Sequence, residues 1–146
     1  MSDRSPWEYS AGFLLWHATL RWQRAITAAL KPLALTHVQF VLLAGAWWLG
    51  RDGQPPSQRE LADHSGTDVM MTSQVVRTLA GKGLLTREPD PADSRIKRLR
   101  VTEAGRALAE RAVQTVDAAD RDFFRHADHP ADLIPQLRSL ARPGQG

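Results

Sequence analysis

Between Ser10 and Leu30 apolar residues occupy nearly the whole helical circumference: Phe13, Leu14, Leu15, Trp16, Leu20, Trp22, Ala25, Ile26, Ala28, Ala29 and Leu30, with Arg21 and Arg24 as interruptions. A helix apolar on more than one side needs burial on more than one side, so this pattern predicts a partner subunit. Lys31-Pro32-Leu33-Ala34-Leu35 reads as a connector, because Pro32 disfavours helix at the residue before it. Thr36 then caps a second helix, His37 to about Leu49, carrying Phe40, Val41, Leu42, Leu43, Trp47 and Trp48. Gly50 to Pro56 is loop by composition. Ser57-Gln58-Arg59-Glu60 matches a capping box, in which Ser57 and Glu60 bond each other's orphan amides. The short helix it opens, Gln58 to His64, turns Leu61 and Ala62 inward, and Ser65-Gly66 turns the chain again.

The next stretch keeps the helical period. Thr67 reads as an N-cap and Asp68 as a first-turn carboxylate suited to the positive end of the helix dipole. At about 100° per residue, Val69, Thr72, Ser73, Val76, Leu79 and Ala80 gather on one side, while Met71, Gln74, Val75 and Thr78 point away. Gly81-Lys82-Gly83 stops the helix, with Gly83 able to take the left-handed conformation that closes it. A capped short helix, a glycine turn and a second helix make a helix-turn-helix.

The period then changes to two. Leu84 to Glu88 and Ile96 to Val101 are short β-compatible segments, separated by the turn chemistry of Pro89-Asp90-Pro91-Ala92-Asp93-Ser94-Arg95. Thr102 caps a long helix to about Arg125, with Leu108, Ala112, Thr115, Val116, Ala119 and Phe123 at three- and four-residue steps. Asp128 to Pro130 breaks it, and Leu133, Ile134, Leu137, Leu140 and Ala141 mark a last helix before a frayed tail, Arg142 to Gly146. The sequence thus predicts a mostly α chain with a small antiparallel β-hairpin wing, a winged helix-turn-helix of the α+β class. Its exposed helix face suits a major groove of double-stranded DNA, with the hairpin beside it on the backbone or minor groove.

The run Arg77 to Leu108 also resembles the signature of the MarR family, the multiple-antibiotic-resistance regulators. That signature is a recognition helix ending leucine–x–x–x–glycine, an Asp-x-Arg wing, and Leu-Thr-x-x-Gly opening a long helix. The counterparts are Leu79 to Gly83, Asp93-Ser94-Arg95, and Val101-Thr102-Glu103-Ala104-Gly105, with Val101 in place of the usual leucine and Ser94 where another basic residue is common. The resemblance implies one domain over residues 1–146: residues 10–50 and 103–142 as dimerisation helices and 55–102 as the winged helix-turn-helix lobe. It further implies a homodimer whose termini intertwine, acting as a ligand-responsive repressor on a pseudo-palindromic operator.

Composition narrows the alternatives. The 146 residues suffice for one domain with a real core. No stretch reaches the roughly 18 uninterrupted apolar residues of a membrane span. No signal peptide is expected ahead of the first helix, so the cytoplasm is the expected compartment. Without cysteine, a disulfide scaffold, thiol switch or thiolate metal site is excluded. Net charge is only +3, yet residues 77 to 106 hold eight basic against four acidic side chains. Charge concentrated on one helix and hairpin is the footprint of a polyanion, although charge alone also fits an ordinary solvated face.

Candidate DNA contacts follow. Gln74 and Thr78 lie on the outward face without a core role; Gln74 suits adenine, and Arg77 on the flank suits phosphate or guanine. Ser57, Gln58 and Ser73 complete the helix-turn-helix set. Met70 and Met71, where the resembled family places small polar residues, either cover thymine methyls or fill the junction with the preceding helix. The resemblance puts Arg95 in the minor groove, where a narrow A·T-rich stretch concentrates negative potential. A turn-stabilising ion pair with Asp93 or Asp90 is its alternative, and Asp93 is expected to orient the wing. Lys97 and Arg98 are expected on the DNA backbone. The resemblance also implies a pocket for a small aromatic or anionic effector, with Trp16, His17, Arg21, His37 and Trp47 as candidates; Trp22 and Trp48 sit in the same helices, and packing is the competing role. Histidines 17, 37, 64, 126 and 129 show no paired ligand spacing, so neither metal nor other cofactor is expected. No nucleophile set, phosphate loop or isolated acid pair suggests an enzyme.

Overall fold

The computed structural model describes residues 5–142. After a 3-10 turn, Pro6–Tyr9, come helix α1 (Ala11–Leu30), a second 3-10 turn (Lys31–Leu33), α2 (His37–Leu49), α3 (Gln58–Ser65) and α4 (Val69–Gly81). The hairpin β1 (Leu85–Pro89) and β2 (Lys97–Val101) follows, then α5 (Glu103–Phe124) and α6 (Pro130–Ala141). Residues 143–146 of the expected frayed tail lie outside the described residues. Among the described residues no single helix is long and apolar enough to cross a membrane, and α1 and α2 meet at a bend of 72°.

Local chemistry explains most boundaries. Ser10, Thr36, Ser57, Asp68 and Thr102 each stand in extended backbone, and each side-chain oxygen accepts an amide three residues on. Two expectations are corrected here. The N-cap of α4 is Asp68, whose Oδ1 accepts the Met71 amide at 2.7 Å, while the Thr67 hydroxyl pairs with that of Thr72. A carboxylate one residue nearer the helix also meets the dipole, which favours this register. The reciprocal capping box belongs to Thr36 and Gln39, with bonds of 3.2 and 3.1 Å. At α3 only Ser57 caps, and the Glu60 carboxylate goes to Arg98 instead.

One core lies between the helices. Ile26 and Leu30 of α1, Leu42, Leu43 and Ala46 of α2, Leu61 of α3, Val76 and Leu79 of α4, Leu99 of β2, and Ala109, Ala112 and Val116 of α5 all pack into it. In α4 Thr72, Val76 and Leu79 face inward as expected, but Val69 is exposed and Val75 packs partly against the core. Val69 belongs to the first turn of the helix and stands mostly in solvent, whereas position 75 sits at the edge of the buried stripe. Gly83, at φ +75°, closes α4 in the left-handed conformation. Its neighbour Lys82 reaches back to the bend between α1 and α2, where Nζ donates to the Ala34 carbonyl at 2.7 Å and to Gln39 Oε1 at 3.2 Å.

The hairpin pairs antiparallel, Leu85 opposite Val101 and Pro89 opposite Lys97, with β1 starting one residue later than its pattern suggests. The segment entering α3 joins it: the Leu99 amide donates to the Pro56 carbonyl at 2.9 Å, and Ser57 bridges to Arg98. Wing root and helix-turn-helix are therefore one hydrogen-bonded unit. At the far end α6 contributes no buried residue, and α1 leaves Leu14, Leu15 and Trp16 more than half exposed.

Candidate nucleic-acid interface

Packing of Thr72, Val76 and Leu79 into the core leaves α4 with its opposite side in solvent. Met70, Met71, Gln74, Arg77 and Thr78 are all exposed along it, and Ser73 is half-buried at the margin. Arg77 donates to Ser73 Oγ at 3.2 Å, and the Thr78 hydroxyl is turned back onto the Gln74 carbonyl. The Gln74 amide makes no side-chain hydrogen bond among the described residues, so both its donor and its acceptor remain available to an adenine edge.

The wing tip is ordered by two aspartates with separate tasks. Asp90 Oδ1 accepts the amides of Ala92 and Asp93, at 2.8 and 3.1 Å, and so builds the turn. Asp93 Oδ1 accepts the Arg95 amide at 3.1 Å and Nε at 3.0 Å, while Oδ2 takes the guanidinium at 3.0 Å. The hydrogen bonds from Arg95 hold the Asp93 carboxyl below its ordinary range. Arg95 is 89% exposed despite this bidentate grip, which aims it outward and fixes its plane. Of the two roles weighed for Arg95, the ion pair is formed, with Asp93 rather than Asp90 as its partner.

Three expected contacts are reassigned. Arg98 is part-buried and spent on protein: Nε donates to Asp90 Oδ2 at 2.7 Å, and the guanidinium reaches Glu60 at 3.3 Å and the Pro55 carbonyl at 3.4 Å. Its hydrogen bond is the main cause holding the Asp90 carboxyl low. Alternation in β2 puts Arg98 on the side facing α3, so through Asp90 and Glu60 it joins wing to helix-turn-helix. Ser57 is buried and its hydroxyl is committed to the cap; Gln58 is half-buried, with Oε1 enclosed. Lys97 and Arg87 are exposed and make no ion pair among the described residues, which leaves them free for phosphates.

Arg98→Met should loosen the wing without unfolding the core, and Asp90→Asn should reproduce the effect. The expected loss in duplex affinity is about tenfold, with the salt dependence of binding unchanged because no phosphate contact goes. A fluorescence-anisotropy titration over a salt series checks this, and a flattened slope would return Arg98 to the phosphates.

The effector candidates do not converge. His17 and Arg21 line an apolar groove of about 1170 Å³ between α1, the end of α5 and α6, together with Leu15, Phe123, Phe124 and Leu137. Trp16 lies outside that lining and is 64% exposed. His37 packs edge-on against Trp22, rings 5.0 Å apart, and the Trp22 indole N–H donates to Asp120 at 2.8 Å. Burial pushes the His37 imidazole down, opposed by the Asp120 charge. Trp47 is packed against the core, and Trp48 lies under the Arg51 guanidinium at 3.8 Å. Tryptophan spacing along two helices carries no information about which side of their 72° bend each ring takes. Among the described residues no group of three or more His, Asp or Glu side chains forms a metal-binding cluster.

A helix with a free polar edge, set beside a charged hairpin on a hydrogen-bonded base, defines a winged-helix DNA-binding transcriptional regulator. Residues 35–97 match the MarR family model. An uncharacterised HTH-type transcriptional regulator of Bacillus subtilis, YdcH, is 41% identical over 133 residues, covering 91% of this chain and 90% of its own. The chain belongs to the MarR family. In structure it is similar to CouR from Rhodococcus jostii bound to p-coumaroyl-CoA, with a TM-score of 0.82 at 28% identity over 98% of this chain and 99% of that one. It is equally similar to the CouR repressor on a 23-mer DNA duplex, with a TM-score of 0.83 at 26% identity over 97% and 99% of the two chains.

Proposed function

We propose that the protein is a homodimeric, ligand-responsive repressor of a pseudo-palindromic operator. In this reading Met70, Met71, Ser73, Gln74, Arg77 and Thr78 enter the major groove, Arg95 the minor groove, and Lys97 the backbone. The observation that carries it is Arg95, held bidentately by Asp93 yet 89% exposed on the lobe that also displays the unpaired Gln74 amide. Among the described residues that guanidinium, oriented at a cost in side-chain freedom, pairs with Asp93 alone. Residues 10–50 and 103–142 are the dimerisation helices and 55–102 the DNA-binding lobe. The apolar groove between α1, α5 and α6 supports the dimer, because Leu15, Phe123, Phe124 and Leu137 on its walls gain by being covered. Because CouR takes an aromatic acyl thioester, an aromatic, anionic effector is the class to test, with Arg21 and His17 beside Trp22 as its polar groups. The protein works by binding rather than catalysis, in the cytoplasm where its operator lies.

Selection of random duplexes on the purified protein should enrich paired half-sites about one helical turn apart, and affinity for them should fall steeply with salt. A winged helix used only to hold other proteins would show neither. Arg95→Ala should weaken that operator by about 10- to 100-fold and leave the dimer folded, since only a groove contact is removed. Unchanged affinity at moderate salt would sink the assignment of Arg95.

A further inference from the structure

The first turn of α4 displays three successive apolar side chains: Val69 is 64%, Met70 78% and Met71 44% exposed. Among the described residues none of the three packs against the hydrophobic core. The inward positions of this helix belong to Thr72, Val76 and Leu79, and the junction with α3 is closed by the Thr67 and Thr72 hydroxyls at 2.7 Å. The turn is also fixed, because Asp68 caps it. Long apolar side chains on a rigid, solvent-facing turn are costly to leave in water, so their use lies in what covers them.

Their surroundings limit the occupant. Asp68 puts a carboxylate at this end of the helix, which disfavours a phosphate and leaves the base edges as the neighbour. Gln74 is one turn further on, four residues from Met70 and three from Met71, so all three share a face. The one apolar feature a base pair shows in the major groove is the thymine C5-methyl, and recognition helices of this class contact bases with their N-terminal residues. Methionine suits such a target, since its thioether is flexible and polarisable and can follow a methyl across adjacent steps.

Resting on the assignment of α4 to the major groove, we propose that Met70 and Met71 read thymine methyl groups. Each half-site then carries thymine opposite the start of α4, next to a base pair read by Gln74. Loss of the methyl removes apolar burial and no hydrogen bond.

The test uses the full-length protein and its selected duplex, with thymines replaced one at a time by deoxyuridine. That base keeps the hydrogen-bonding edges and lacks only the methyl. One or two positions per half-site should each cost about 3- to 10-fold in affinity, the worth of one or two buried methyl-sized groups. Met70→Ala with Met71→Ala should bind thymine and deoxyuridine duplexes alike. Equal affinity of the wild type for every substituted duplex would overturn the proposal without recourse to any variant, and would leave the patch to a protein partner. Discrimination persisting in the double variant would overturn it too, by moving methyl reading to another side chain. If no duplex is enriched at all, the DNA-binding reading fails and this inference with it.

Discussion

Gly105→Ala is expected to unfold the protein at physiological temperature or lower its melting point by about 10 °C or more, a loss of roughly 3 kcal/mol. Gly105 sits in the first turn of α5, where its amide donates to the Thr102 cap at 3.1 Å. A β-carbon there overlaps the Leu84 carbonyl oxygen, and comes within 2.8 Å of the Leu84 carbonyl carbon and 2.9 Å of Val101 Cγ1. That carbonyl cannot step aside, because it accepts the Thr102 amide at 3.1 Å while the Leu84 amide donates to Leu79. Any relief must separate α5 from the wing root. The control is Gly81→Ala at the end of α4, where a β-carbon meets nothing within 4 Å. That change should be neutral or stabilising by up to about 1 kcal/mol, because it removes backbone freedom from the unfolded chain. Circular-dichroism melts of the two variants decide the matter, and a Gly105→Ala melt within a few degrees of wild type would contradict the packing described.

Leu15→Glu combined with Leu137→Glu should separate the subunits and lower operator affinity about 100-fold or more. Both residues line the apolar groove, and in the single subunit they are 54% and 41% exposed, so a carboxylate at either costs the monomer little. Buried against a second subunit, two new carboxylates per chain would have to shed their hydration without partners. The effect on DNA follows from linkage. A dimer holds its second recognition helix at high effective concentration over the second half-site, and a monomer forgoes that gain of about 10²–10⁴. Light scattering and a binding titration on one sample check both halves of the expectation. A variant that stays dimeric at micromolar concentration would place the interface elsewhere.

Local chemistry written in single residues was legible before the structure. Thr36, Ser57, Thr102 and Gly83 stand where their types require, and the Gly105 of the family signature has its reason in the wing root beneath it. Less legible was anything decided by which side of a bend a residue takes. Arg98 looked like one more wing cation, yet register and strand alternation turn it toward Glu60 and Asp90. The tryptophans looked like one cluster, whereas the step of about 100° per residue along α2 sends Trp47 to the core and Trp48 to solvent beside Arg51, and Trp22 on α1 turns to Asp120. Taking Thr67 for the cap in place of Asp68 had a simpler source. Both are good N-caps, and only the position of buried Thr72 decides between them.

Lys82 ties the C-terminal end of the recognition helix to the corner between the first two helices. Two hydrogen bonds fasten its base to Ala34 and Gln39 at the corner where α1 turns into α2. The 13 residues of α4 extend from there to a tip at Val69 and Met70. At 1.5 Å per residue that arm is about 20 Å long, so a swing of about 10° moves the tip by about 3.4 Å, one base-pair step. Because Thr72, Val76 and Leu79 are buried along that arm, such a swing has to carry the surrounding core with it, so a shift of the α1–α2 corner reaches the tip only through packed side chains.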